Sequence, residues 1–292
     1  MKKKTQNSPY LWLAPSLILL VAITVIPTLF LYYTSLVRWE LGMPWSDRTF
    51  VGLSNYAKIF KDFLFRQAIL RTLVYTVVSV GLQFFLGFLI AQFMSRKTLR
   101  WKGILIAALI IPMTVTPSIA GLIWRLYFNP NYGIINYFLR FLGIAPDWYS
   151  YSLALTSVII VDVWQWTPFV ALVLFAGISA LPPTPFEAAV VDGATKFQML
   201  RFITLPLLKP IILIVLLLRS MDALKMFDVV FSLTGGGPAD ATELLSMLVY
   251  RTGFYQTGMV GLASAMAVIL LLIIILLSQA FIKILGEKKV EF

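Results

Sequence analysis

Long apolar runs alternate with short polar stretches along the chain, and the runs set the expected architecture before any motif is considered. Runs over about residues 11–36, 68–94, 103–127, 151–180, 203–224 and 259–285 are predicted as helices 1 to 6. Each is long enough to cross a hydrocarbon core of about 30 Å, which takes about 20 residues of helix. Pro15 and Pro27 in the first run each remove a backbone donor and are expected to bend that helix or place its ends. The first run is longer than a signal-peptide core of about 7–15 residues and no small-residue cleavage pattern follows it, so it reads as an uncleaved helix. The predicted fold class is all-α: a polytopic membrane protein of six transmembrane helices, one domain over residues 1–292.

Basic residues orient this arrangement. Lys2, Lys3 and Lys4 precede helix 1; Arg96, Lys97, Arg100 and Lys102 crowd the 2–3 connection; Lys196, Arg201 and Lys209 follow helix 4; Lys283, Lys288 and Lys289 end the chain. Short loops rich in Lys and Arg stay on the cytoplasmic side. Six spans with both termini cytoplasmic satisfy every cluster, and residues 128–150, with only Arg140 and Asp147 charged, return the chain outside.

Composition agrees: 60% of residues are hydrophobic and 13% charged, against roughly 45–50% and 25% in soluble domains. The net charge of +11 therefore belongs to membrane orientation and lipid contact rather than to nucleic acid. With no cysteine and no histidine, the commonest thiolate, metal and proton-shuttle chemistries are excluded. No catalytic residues, metal site or cofactor are expected.

One polar segment is set between helices 4 and 5. Thr184, Pro185 and Glu187 spell a helix start, with Thr184 as N-cap and Glu187 completing a capping box. Gly193 suits the left-handed turn that ends such a helix, and Thr195 with Gln198 repeats the start signal. A helix, a glycine turn and a second helix are predicted on the cytoplasmic side. Ala188, Ala189 and Gly193 would leave one face low enough for close contact with another protein.

The spacing of Glu187-Ala188-Ala189, Asp192-Gly193-Ala194 and Ile203-x-Leu205-Pro206 resembles the E-A-A-x-x-x-G-x(9)-I-x-L-P loop of ABC importer permeases. The extended form is similar to the branch that takes up sugars and glycerol-linked compounds. Phe50-x-Gly52-Leu53-x-Asn55-Tyr56 and the Leu233-Thr234-Gly235-Gly236-Gly237-Pro238 stretch resemble the same branch. The resemblance implies a permease subunit of the inner membrane, working with a second permease in a heterodimer, two ATP-binding subunits and an external solute-binding protein. It also implies that Glu187, Ala188, Ala189, Asp192, Gly193, Leu205 and Pro206 couple the chain to the ATPase. No G-x-x-x-x-G-K-[ST] sequence is present, so ATP hydrolysis falls to the partners. The alternative is a secondary transporter driven by an ion gradient, which favours inverted repeats and broken helices.

Charges inside the runs need a partner, water or a task. Asp162, Gln165 and Trp166 fall on one helix face at i, i+3 and i+4. Carboxylate, amide and aromatic plate suit a polyol; equally, Asp162 suits an ion pair with an arginine of another helix. Arg219, Asp222, Lys225 and Asp228 form a self-neutralising stripe on helix 5. By the resemblance the cavity lies between the helices flanking the loop, which places Asp162, Gln165, Trp166, Asp222 and Met226 as candidate substrate-lining residues. Asp240 and Glu243 are expected to start a further short helix.

Overall fold

The computed structural model describes residues 9–96 and 98–286. Lys2, Lys3, Lys4, Lys97, Lys288 and Lys289, which carry part of the orientation argument, lie outside the described residues. The chain divides into two compact units, one comprising residues up to Phe65 with Leu248–Ile269, the other Arg66–Met247 with the chain from Leu270 onward. Five helices are long and apolar enough to cross a membrane, and a bent pair supplies a sixth when taken as one broken span, among the described residues.

In the first unit, α1 (Pro9–Ser35) contains both Pro15 and Pro27 in its interior. It leads into a two-residue antiparallel ribbon, β1 (Val37–Arg38) and β2 (Thr49–Phe50), paired Val37 to Phe50 and Arg38 to Thr49. The polar Phe50–Tyr56 motif explains itself here. Gly52 takes φ +54, a left-handed turn that favours glycine. Asn55, at the start of α2 (Ser54–Lys61), donates to the Ser35 and Val37 carbonyls, each at 2.9 Å. The Tyr56 hydroxyl meets Ser35 Oγ at 2.7 Å. The last span, α13 (Val260–Gly286), begins against the same ribbon: Gly261 N–H donates to the Trp39 carbonyl at 3.0 Å, and a Cβ on Gly261 would collide with the Val37 carbonyl. Thr34 donates to Ser264 at 3.0 Å.

The second unit holds α3 (Phe63–Met94), α4 (Lys102–Thr114), α5 (Pro117–Tyr127), α6 (Ile134–Arg140) and α7 (Ala154–Ser179). After them come α8 (Thr184–Val191), α9 (Lys196–Met199), α10 (Leu205–Leu224) and α11 (Asp228–Leu233). Small residues let these helices approach. Gly87 of α3 sits under Val170 and the Ala171 backbone of α7, and Gly177 of α7 under Leu208 and Ile211 of α10. Without a hydrophobic drive between helices in lipid, such close packing is what holds spans together.

The third predicted helix is not one rod. It breaks into α4 and α5, bent by 96°. The cause is local: Pro117 pushes Thr116 out of helical geometry, to φ −60 and ψ 140, and Val115 is extended at ψ 128. The predicted outer return also contains α6. No helix starts at Asp240 and Glu243; α12 (Leu245–Tyr250) begins beyond them, because Ala239 and Asp240 both have positive φ, which a right-handed helix excludes.

Gly87→Ala places a methyl group against Val170 and the α7 backbone and is expected to cost about 1–3 kcal/mol, the range for overpacking. Gly81→Ala, on the same helix with open space around it, serves as the neutral comparison. Thermal unfolding of the purified complexes in detergent reads the difference.

Candidate functional site

The loop between α7 and α10 folds as two helices around a glycine. α8 ends in a Schellman turn: Ala194 N–H reaches the Ala189 carbonyl at 2.9 Å and Gly193 N–H the Val190 carbonyl at 3.1 Å, with Gly193 at φ +73. The second start signal forms in full. Thr195 caps α9, Gln198 N–H meeting Thr195 Oγ1 at 3.3 Å while Gln198 Oε1 accepts from Thr195 N–H at 2.7 Å. The first does not: Thr184 is already the first helical residue, Pro183 precedes it, and no side chain caps the helix.

A π-helical turn, Leu200–Thr204, joins α9 to α10, so the second helix of the loop runs on into the span. The wide turn stands just ahead of Pro206, which has no N–H to give to the helix, and Thr204 Oγ1 donates five residues back to the Met199 carbonyl at 3.3 Å. Glu187, Ala188, Asp192, Gly193 and Pro206 are exposed and Leu205 is half-buried. Ala189 is buried, so its small side chain serves the packing of α8 and not a flat outer face. The outward surface is instead Glu187 and Ala188 with Val190 and Val191. A hollow of about 550 Å³ lined by Ser95, Ile178, Pro183 and Glu187 runs beside it.

Inside the spans, Asp162 and Arg219 meet. Asp162 (0% exposed) and Arg219 (1% exposed) pair at 3.2 Å from Nη2 to Oδ1, with Oδ2 at 3.4 Å. Gln83 of α3 closes the triangle: Arg219 Nε donates to Gln83 Oε1 at 2.8 Å, and Gln83 Nε2 donates to Asp162 Oδ2 at 2.8 Å. The indole of Trp166 covers the guanidinium at 4.8 Å. Of the two readings open for Asp162, the ion pair with an arginine of another helix is the one this conformation displays. Gln83 was not foreseen, although an amide midway along an apolar run is a legible signal.

Gln165 is also turned inward. Its amide donates to the Val115 carbonyl at 2.6 Å, an acceptor freed by the α4–α5 break, so it mends the kink. Met226 is buried and Trp166 half-buried. Asp222 is different: its carboxylate is 54% exposed, 3.2 Å from Lys225 Nζ and 3.8 Å from Arg219 Nη1. Asp228 is exposed as well, and Ser118 Oγ donates to it at 3.4 Å. Exposed charge at the end of a span implies water or protein beside it, not lipid.

At the end of α5, Leu122, Arg125, Asn129, Tyr132 and Tyr149 with Thr234, Gly237 and Pro238 line a cup of about 660 Å³. Tyr149 donates to the Arg125 carbonyl at 2.6 Å. Burial pushes its hydroxyl above the usual phenol range, Arg125 drawing it partly back and Tyr132 and Asp147 raising it further, so it remains a donor. Among the described residues no group of three or more Asp, Glu, His or Cys could hold a metal ion.

Residues 65–290 match the family described as binding-protein-dependent transport system inner membrane component. The chain is 34% identical over 97% of its length, and 95% of the relative's, to the trehalose/maltose transport system permease protein MalF of Thermococcus litoralis. It is 35% identical to the trehalose transport system permease protein SugA of Mycobacterium tuberculosis, over 95% and 88% of the two chains. Its fold resembles a chain in the crystal structure of a bacterial alginate ABC transporter in complex with an alginate pentasaccharide-bound periplasmic protein, with a TM-score of 0.80, 22% identity and 96% of each chain covered.

Asp162→Ala leaves Arg219 buried without its counter-charge, and loss of one partner of a buried pair costs about 3–5 kcal/mol. The variant is expected to melt earlier by a margin that Thr156→Ala, an exposed position on the same helix, does not reproduce; thermal unfolding of the purified complex measures both.

Proposed function

The chain belongs to the family of inner membrane components of binding-protein-dependent transport systems, and from that premise we propose that it passes a sugar or similar polyhydroxy solute across the cytoplasmic membrane. It is an integral, non-catalytic subunit of an ABC transporter, served by separate ATPases and a periplasmic binding protein. The solute class rests on the trehalose and maltose named for the relatives. A second, related permease completes a heterodimer, and both termini face the cytoplasm.

The observation that carries the coupling part of this reading is the helix, glycine turn and helix of residues 184–206. Its outward face is formed by Glu187 and Ala188, and its second helix is continuous with α10. A partner ATPase gripping α8 would move α7 and α10 together, since Leu205 and Pro206 leave no flexible link between loop and span. Ala189, Asp192 and Gly193 shape the elbow; Glu187 and Ala188 meet the partner.

Substrate contact falls to the exposed Asp222 and to the half-buried Trp166, each of which lies against Arg219. A carboxylate accepts from sugar hydroxyls and an aromatic ring packs on the apolar C–H face of a pyranose. Asp162, Gln165 and Met226 act behind them, holding the helices that present them.

Gly193→Asp puts a side chain on a left-handed residue, which costs roughly 1–2 kcal/mol, and adds a carboxylate to the elbow. Uptake of labelled sugar in cells is expected to vanish while immunoblots find the protein in the membrane at its usual level; full uptake would refute the coupling role. Uptake in energised vesicles is expected to survive collapse of the proton gradient while ATP is maintained, and loss with the gradient would favour an ion-driven carrier instead.

A further inference from the structure

Arg219 is the largest fully buried side chain among the described residues. Burying a cation among apolar helices costs several kcal/mol, and replacing such a pair with apolar residues is often neutral or stabilising. Stability alone therefore does not account for it. Its geometry does more than neutralise charge: the planar fork is held by Asp162 of α7 through Nη2 and by Gln83 of α3 through Nε, while Gln83 also donates to the Asp162 carbonyl at 3.2 Å. A guanidinium bound along two edges fixes direction and register as well as distance.

The place of this joint matters. α7 and α10 flank the elbow and already touch near their inner ends, where Gly177 sits under Leu208 and Ile211. Asp162 lies about 22 Å further along α7, at 1.5 Å per residue. Between the two points Val170, Leu174 and Val215 form a continuous apolar seam. Two helices joined at one end can scissor; joined at two separated points they cannot. Beyond the joint, within one turn, stands the exposed Asp222, 3.8 Å from Arg219 Nη1, an atom with no hydrogen-bond partner of its own among the described residues.

We propose that Arg219 is a positioning residue for transport: clamped by Asp162 and Gln83, it locks the register of α10 on α7 and α3. Displacement of the elbow thereby reaches the outer half of α10, and Asp222, undiminished. The inference rests on the reading of the protein as an ATP-driven permease. Without the clamp, hydrolysis continues while the outer half of α10 no longer follows it.

The test is the triple substitution Gln83→Leu, Asp162→Leu and Arg219→Met in the reconstituted complex with its ATPases and binding protein. All three polar groups leave together, so no buried charge is stranded. Assembly and melting temperature are expected to stay near wild type, with ATP hydrolysis still stimulated by solute-loaded binding protein. Solute taken up per ATP is expected to fall about tenfold, within the range by which residues away from both sites alter coupling. Normal uptake per ATP in this variant overturns the proposal, because a merely structural pair is replaceable by well-packed apolar residues.

Should the triple variant fail to assemble, the decision passes to the wild-type clamp. The natural chain has no cysteine, so spin labels at Thr156→Cys and Leu218→Cys, both exposed, report the distance between the outer halves of α7 and α10. A change below about 2 Å, the scale of small helix shifts, between nucleotide-free and vanadate-trapped complexes is expected; a larger one overturns the proposal. Wild-type uptake is the separate control. Its absence counts against the transport reading, whereas a normal wild type beside a normally coupled triple variant counts against the clamp alone.

Discussion

A guanidinium in the middle of a membrane protein has to be satisfied on the spot, and the second unit of this chain is arranged around that demand. Arg219 draws one acceptor from α7, one from α3 and an aromatic face from Trp166. Its ring of partners is exact enough in direction that three spans share one register. The glycine contacts are the apolar counterpart of the same constraint: Gly87 and Gly177 let backbones approach so that the polar groups fall within hydrogen-bond reach. Neither works alone, since close packing without the pair leaves rotation free and the pair without close packing leaves water a way in.

The break between α4 and α5 is the second place where backbone polarity has to be settled away from bulk water. A carbonyl released in mid-span needs a donor, and Gln165 supplies one to Val115. The kink is thereby a fixed corner, and α5 leaves it to pack on α11, where Gly121 sits against Ser232 and the Val229 carbonyl. The same logic runs through the connection between α6 and α7: Trp148 donates to Asn136 and Asn136 to the Pro146 carbonyl, at 2.8 and 3.0 Å. Many polar side chains in this protein are spent on the protein itself, whereas Asp222, Lys225 and Asp228, around the junction of α10 and α11, are exposed.

Much of this was legible from residue order. Apolar runs announce spans because every backbone group in lipid must be bonded within a helix, and Gly193 with Thr195 and Gln198 announce an elbow because their requirements are local. What stayed hidden was either non-local or a contest between local rules. Thr184 carries the right chemistry for a cap, yet Pro183 continues the helical turn ahead of it, at φ −72 and ψ −30. The apolar run through 103–127 concealed a corner because hydropathy is blind to the conformational veto that Pro117 exerts on Thr116. The partner of Asp162 sits on a helix 57 residues away, a distance over which spacing rules have no reach; periodicity placed Asp162, Gln165 and Trp166 on one face without deciding whether that face looked into a cavity or into a neighbour.

The ribbon that follows α1 has a consequence for biogenesis. Trp39 and Val37 present their carbonyls to Gly261, a residue made more than two hundred positions later. Until the ribosome has delivered α13, that edge stays unsealed and Thr34 waits for Ser264. Insertion of the first helix therefore cannot close the first unit by itself; α13, made far later, completes it.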